Sequence, residues 1–268
     1  MPFKPYKIMG VLNITPDSFS DGGQNFNVMD AIDKARRMRD DGADIIDIGG
    51  ESTRPKADII SPQEEMDRVM PVIAALSAEG IALSIDTRNA ETMRTALAYN
   101  VEMINDISAL THDPESVYVM AASSCQICLM HMQGTPQTMQ QNPYYDDVVS
   151  EVKDFLVSRI KFCEEHGIAK DRIFVDVGIG FGKILDHNIA LLKNLDQFNG
   201  IGTGQLLGTS RKSFIEKMTK PVSVDKRIGG SLASILQAYQ QGVRFFRVHD
   251  VLETKQALDV WHGLMEES

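Results

Sequence analysis

Eight short runs of apolar, largely β-branched residues recur along this chain, each followed by a polar turn and then by a stretch with helical spacing. That alternation restricts the chain to a parallel sheet with helices packed outside it, because parallel neighbours can be joined only by crossovers. The runs are Lys7 to Leu12, Ile45 to Ile48, Ala82 to Asp86, Met103 to Asp106, Gln126 to Met130, Ile173 to Val177, Leu206 to Gly208 and Phe245 to Val248. Between them lie helical patterns such as Val28 to Asp41, Pro62 to Glu79 and Asp146 to Glu165, with Ser61-Pro62 reading as an N-cap followed by proline at the first helical position. Eight such units in 268 residues favour an α/β chain closed into a (β/α)8 TIM barrel, one domain over residues 1–268. A doubly wound open sheet is the fallback.

Composition excludes several partners. A formal net charge of -10 would repel a phosphate backbone, and no basic run or zinc-ligand spacing suggests nucleic acid. The amino terminus carries no long apolar stretch, and nowhere do about 18 consecutive apolar residues occur. The expectation is a soluble, cytoplasmic protein with no membrane contact. Cys125 and Cys128 form a CxxC that a redox or zinc half-site could use, but residues three apart on a strand point to opposite faces, and Cys163 lies far away on a helical pattern. Buried structural thiols are the preferred reading.

The unusual polar residues fall at the strand ends. Asn13 ends the first run and Glu51 follows the second; Asp86 ends the third, and Asn105 with Asp106 the fourth. His131 follows the fifth, Asp176 lies near the end of the sixth, Ser210-Arg211-Lys212 follows the seventh, and Arg247 with His249 closes the eighth. In a parallel barrel these ends meet on one face, where ligands bind. Asp113 before Pro114 reads only as a helix N-cap. Asp86, Asn105 and Asp176 end otherwise apolar strands, so their polar groups would enter the barrel mouth unsatisfied unless they bound something. Carboxylates and an amide around an apolar slot suit a flat heterocycle with several N–H donors and an acceptor, and a pterin ring has that edge. Arg54, Lys183, Arg211, Lys212, Arg247 and His249 are the cations of the same rim, and they imply an anionic substrate, a phosphate or pyrophosphate together with a carboxylate. Gly178-Ile179-Gly180-Phe181-Gly182-Lys183 is glycine-rich but is no Walker loop, since Ile184 stands where Ser or Thr would hold magnesium. It reads as a tight turn that brings Phe181 near a ligand.

From Gly10 to about Val251 these residues resemble the dihydropteroate synthase family. Gly10-Val11-Leu12-Asn13-Ile14-Thr15-Pro16-Asp17-Ser18-Phe19-Ser20-Asp21-Gly22-Gly23 is similar to its first signature, and Asp47-Ile48-Gly49-Gly50-Glu51-Ser52-Thr53-Arg54-Pro55 to its second. Ser84-Ile85-Asp86-Thr87, Asn105-Asp106-Ile107 and Leu129-Met130-His131-Met132-Gln133-Gly134 resemble its pterin-site strands. Gly208-Thr209-Ser210-Arg211-Lys212-Ser213 and Arg247-Val248-His249-Asp250 look like its last two. The chain departs from the pattern at Val177, where proline is usual, and at Lys56, where glycine is usual.

The resemblance implies roles. Asp86, Asn105, Asp176 and Lys212 would hold the pterin, with Gly208 beside them, Arg247 stacking on the ring, and Met130 and Phe181 lining the slot. Asn13 would ligate magnesium on the pyrophosphate, whose oxygens Arg247, His249 and the backbone near Thr53 and Arg54 would bind. Residues 15 to 23 and 52 to 58 would close over that anion. Phe19, Thr53, Pro55 and Lys212 would border the 4-aminobenzoate pocket, with Ser210 near its carboxylate and sulfonamides as competitors. Asp86, Asp176, Lys212, Arg247 and His249 would carry a dissociative condensation of pterin pyrophosphate with 4-aminobenzoate, and a homodimer is the implied assembly. A pterin barrel that transfers a methyl group, a non-catalytic pterin-binding paralogue and a Schiff-base aldolase using Lys212 share parts of this pattern and stand as alternatives.

Overall fold

The computed structural model describes residues 5–14, 24–52 and 59–265. Its strands are β1 (Lys7–Asn13), β2 (Ile45–Gly49), β3 (Leu83–Asp86), β4 (Met103–Asp106), β5 (Gln126–Met130), β6 (Ile173–Asp176), β7 (Gly204–Leu207) and β8 (Phe245–Val248). They pair in parallel in sequence order, and β8 pairs back onto β1, so the sheet is a closed barrel and the open doubly wound alternative is excluded. Helices α1 (Gln24–Asp40), α2 (Pro62–Ala78), α3 (Ala90–Leu97), α4 (Ser116–Ala121), α5 (Val148–Glu165), α6 (Leu185–Lys193), α7 (Phe214–Met218), α8 (Ile228–Gln240) and α9 (Val251–Met265) connect them. No helix of the described residues is long and apolar enough to cross a membrane.

Most boundaries fall where side chains place them. Ser61 caps α2, its hydroxyl accepting from the Glu64 amide at 3.1 Å with Pro62 following. Asp147, one residue later than expected, caps α5 by accepting from the amides of Val149 and Ser150. The seventh strand begins at Gly204 instead of Leu206, because Gly204 and Gln205 complete the ladder to Phe174 and Val175; Gly208 then lies beyond it. Asp113 keeps a local capping contact, its Oδ1 accepting the Glu115 amide at 3.0 Å just ahead of α4, which starts at Ser116, and its Oδ2 also accepts the Ala90 amide of α3 at 3.0 Å.

Strand register decides what faces the barrel axis. Side chains alternate along each strand, and the pairing sets Asn13 beside Gly49, Gly49 beside Asp86, Asp86 beside Asn105, and Met130 beside Asp176. Below that level Met9, Ile45, Met103, Cys128, Leu206 and Phe245 pack into a separate apolar cluster that plugs the barrel. The opposite parity, including Ile8, Ile46, Ile48, Ile85, Ile127 and Phe246, packs outward under the helices. Cys128 belongs to the inner cluster and Cys125 to the outer one, so the CxxC is split across the sheet as expected. All three thiols are free and buried, and burial pushes the Cys125 thiol up to about 12.

The turn after β6 takes left-handed backbone at three glycines, Gly178, Gly180 and Gly182, with φ of +68°, +86° and +63°, a conformation glycine adopts without steric cost. A Cβ on Gly178 would stand 1.9 Å from the carbonyl oxygen of His131, far inside van der Waals contact. We therefore expect Gly178→Ala to lose about 3 kcal/mol or more of unfolding free energy, combining clash with the left-handed penalty. Gly167→Ala, at φ +88° with nothing within 4 Å of the added carbon, should lose only about 1–2 kcal/mol. Equal midpoints in denaturant for the two variants would contradict this placement of the turn.

Candidate active site

The carboxyl ends of the strands bring one network of charge into the barrel mouth. Arg247 of β8 donates from Nε to Asp47 Oδ2 at 2.6 Å and from an Nη to Asp86 Oδ2 at 2.7 Å. Asn105 donates its amide to the same Asp47 oxygen at 3.1 Å, so β2, β3, β4 and β8 are tied through their inner faces. Asp47 is completely buried, and its Oδ1 has no hydrogen-bond partner among the described residues. Sequence reading misses Asp47 as a site residue, because it stands in mid-strand and not at a strand end. A charged residue between Ile46 and Ile48 was the available signal.

Across the mouth, Asp176 accepts the Gly178 amide at 2.7 Å, and its ring of neighbours is closed by Lys212. Gly208 lies between them: a Cβ there would stand 3.8 Å from Lys212 Nζ and 3.9 Å from both Asp176 Oδ2 and Arg247 Cβ. The bare glycine leaves open the space those three side chains share. Lys212 Nζ also donates to the Ile179 carbonyl at 2.5 Å and stands 4.9 Å from the centre of the Phe181 ring. Met130, 4% exposed, ends β5 beside Asp176. Asn13 Oδ1 and Asp86 Oδ2 approach Gly49 together, 3.6 and 3.8 Å from where its Cβ would be. Thus Asn13, Asp86, Asn105, Met130, Asp176, Phe181, Gly208, Lys212 and Arg247 are gathered at one mouth.

Burial sets the electrostatics. It pushes the Asp86 carboxyl up to about 7, with Arg247 pulling it back, and raises Asp176 against the opposing pull of Lys212. Lys212 is pushed down to about 8 by burial, with Asp176 opposing. Arg247 resists burial because Asp47 and Asp86 hold its charge, and it stays protonated. His249 is pushed down to about 3 by burial and by Arg247 and Arg211, so it is a neutral imidazole. Its backbone amide donates to Ser210 Oγ, and its Nδ1 lies 3.1 Å from that hydroxyl.

A second layer fixes these groups. Glu65 of α2, fully buried, accepts on one oxygen from Thr87 (2.9 Å), Asn89 (2.9 Å) and Thr92 (2.7 Å), pinning the segment that follows Asp86. Glu51 and Arg88 form a two-pronged pair at 2.7 and 3.0 Å, both side chains 7% exposed, joining the stem after β2 to the stem after β3. Asp106 turns outward and is consumed locally by Ser108 and the Leu110 amide.

Two expected rim cations are not free for an anion. Lys183 is 1% exposed and runs behind the mouth to His131, which is itself buried. Arg211 is paired with Asp250 through Nε and one Nη, a bidentate contact along one guanidinium edge. Arg54 lies outside the described residues, as do Phe19, Thr53, Pro55 and Lys56, so the two signatures contribute geometry only up to Ile14 and Ser52. Val177, the departure from the family pattern, is buried and leaves the Asp176–Gly178 bond intact.

Comparison with known proteins agrees with the fold. The model of the family described as pterin binding enzyme covers residues 9–249. The chain is 48% identical to the dihydropteroate synthase of Haemophilus influenzae over 96% of its own length and 93% of that protein. Among solved structures it is similar to Xanthomonas albilineans dihydropteroate synthase with 4-aminobenzoic acid, with a TM-score of 0.92, 43% identity, and coverage of 98% of this chain and 94% of that one. It is also similar to Yersinia pestis dihydropteroate synthase in a sulfonamide drug complex, with a TM-score of 0.91, 42% identity and coverage of 97% and 94%. On the strength of the family match and of identity across nearly its whole length, the chain belongs to the pterin binding enzyme family, among the dihydropteroate synthases.

Proposed function

We propose that this chain condenses 6-hydroxymethyl-7,8-dihydropterin pyrophosphate with 4-aminobenzoate to give 7,8-dihydropteroate and pyrophosphate, as a transferase of folate biosynthesis. The observation that carries the reading is the inward-facing set of Asp86, Asn105 and Asp176 around the space opened by Gly208, with Lys212 and Arg247 at its borders. Those carboxylates and the amide accept and donate along the pterin edge, Met130 and Phe181 cover its faces, and Lys212 donates to an acceptor on the ring.

The mechanism is dissociative. Loss of pyrophosphate leaves a CH2 cation that the pterin ring delocalises, and the buried acidic groups Asp47, Asp86 and Asp176 favour positive charge in that slot. Arg247 faces the departing anion while remaining anchored to Asp47 and Asp86. His249, neutral in this state, acts as a hydrogen-bond donor to the pyrophosphate and gains charge only as the anion approaches. The amine of 4-aminobenzoate is already neutral at pH 7, so its attack depends on position and needs no strong base.

Magnesium fits the donor set in a limited way. Asn13 offers a hard amide oxygen whose side chain is engaged in no hydrogen bond among the described residues, and magnesium is commonly held by one or two protein oxygens plus substrate phosphates. When bound there it would offset negative charge on the leaving pyrophosphate. Residues 15–23 and 52–58, with Phe19, Thr53, Arg54 and Pro55, complete the anion and 4-aminobenzoate sites on this reading, with Ser210 near the carboxylate. The same pocket takes sulfonamides, as the Yersinia pestis relative does. A cytoplasmic homodimer is the form we assign, with half-exposed Ile228 and Leu232 on α8 and exposed Val260 and Leu264 on α9 as apolar area that association covers.

Turnover tests the reading: with magnesium and the pterin pyrophosphate, pyrophosphate release should require 4-aminobenzoate, yield dihydropteroate and be suppressed competitively by a sulfonamide. Tight pterin binding with no product would instead favour a non-catalytic pterin-binding protein. A second expectation concerns Asp47, which touches Arg247 and Asn105. Asp47→Asn should stay folded and lose about tenfold or more in pterin affinity by calorimetry, about 1.4 kcal/mol. Wild-type affinity in that variant would remove Asp47 from the site.

A further inference from the structure

The condensation uses Phe181 from the glycine turn after β6 but makes no use of Lys183, which ends the same turn. Lys183 is among the largest fully buried side chains of the protein, and no carboxylate lies within 4 Å of its Nζ among the described residues. Instead its Nζ lies 2.9 Å from His131 Nδ1, 2.9 Å from the Phe181 carbonyl and 3.4 Å from the His131 carbonyl. Three acceptors match the three hydrogens of an ammonium, with His131 carrying its own proton on Nε2. Burial works against that charge, pushing Lys183 down to about 7, while Asp176 pulls it up and Lys212 pushes it down. His131, Tyr145 and His187 are the remaining titratable groups around it.

Both ends of this tie lead to the slot. The His131 amide donates to the Asp176 carbonyl at 3.0 Å, and its ring is packed edge-on against Phe155 at 4.9 Å. On the turn, Tyr145 Oη donates to the Gly182 carbonyl, Asn188 accepts the Gly180 amide, and Lys212 donates to the Ile179 carbonyl. The Phe181 carbonyl is the one that Lys183 holds, and the Phe181 ring lies under Lys212. Retaining a charge-bearing group in a dry site when a methionine would fill it is costly, and the contacts it makes are all to the frame around Phe181 and Asp176.

We propose that Lys183 is a positioning residue for the pterin slot: its Nζ ties the end of β5 to the glycine turn after β6, and so sets where Phe181 stands relative to Lys212 and Asp176. This rests on the pterin reading of the site. Lys183→Met keeps the volume and removes the donors. In the full-length protein it should bind the pterin pyrophosphate at least tenfold more weakly by calorimetry, while the KM for 4-aminobenzoate at saturating pterin changes less than twofold. Phe181→Ala should also weaken pterin binding, and the double variant should be little worse than the worse single one, because both act through one ring. A merely structural lysine would lower the melting temperature and leave pterin affinity of the folded protein unchanged, and that result, or additive losses in the double variant, overturns the proposal. Should Lys183→Met not fold, His131→Gln, which deletes the Nδ1 acceptor and keeps the lysine, must show the same selective loss of pterin affinity; unchanged affinity there also overturns it. The wild-type protein run alongside separates the two levels. If it too fails to bind pterin, the functional reading is at fault and not Lys183.

Discussion

The guanidinium of Arg247 reaches Asp47 on one side and Asp86 on the other, and Asp47 in turn receives the amide of Asn105. Four strands thereby meet through one guanidinium, two carboxyl groups and one amide. Such a cluster is tolerable only because the geometry is nearly complete, since an unpaired charge in this position would cost several kcal/mol. The closed barrel supplies that geometry: with parity fixed by register, no strand can slip by one residue without turning Asp47, Asp86 or Arg247 into the helical layer. Shape and electrostatics of the mouth are therefore one constraint, and the pterin slot is what remains after these groups satisfy each other in part.

The two walls of the slot are built differently. On the Asp86 side, side chains on neighbouring strands pair directly, backed by Glu65 beneath Thr87 and by the Glu51–Arg88 pair at the stem of the second loop. On the Asp176 side, a left-handed glycine turn is held by side chains that reach its carbonyls one at a time, with Lys183 behind and Lys212 in front. The first wall is rigid through charge pairing, and the second through backbone capture. A planar ligand between them meets acceptors on both sides and an aromatic ring on one.

Much of this was legible in sequence. Apolar runs ending in Asp86, Asn105 and Asp176 announced both the barrel and the mouth, because polar groups at the ends of buried strands need partners. Asp47 escaped because its polarity is hidden two residues before a strand end, and only the register, which sequence does not display, shows it level with Ser84 and inside. Lys183 was misplaced on the rim because three positive-φ glycines turn the chain back behind β5, a path that spacing alone cannot reveal. Arg211 was likewise read as free, whereas a partner 39 residues away, Asp250, takes its charge. The seventh strand began early because Gly204 and Gln205 have little strand propensity and are recruited by the ladder to β6.

Asp86 is where the slot meets the pterin edge, and ring N–H donors arriving there favour the ionised carboxyl. Burial pushes this carboxyl up to about 7, with Arg247 opposing, and ring N–H donors would pull it back down. The direct measurement is calorimetric titration with 6-hydroxymethyl-7,8-dihydropterin, lacking the pyrophosphate so that no phosphate titrates, at pH 7 in buffers of different ionisation heat. The account predicts release of on the order of half a proton per site, as expected for a group titrating at the working pH, and loss of that release in Asp86→Asn. Binding heats independent of buffer in the wild-type protein would contradict it.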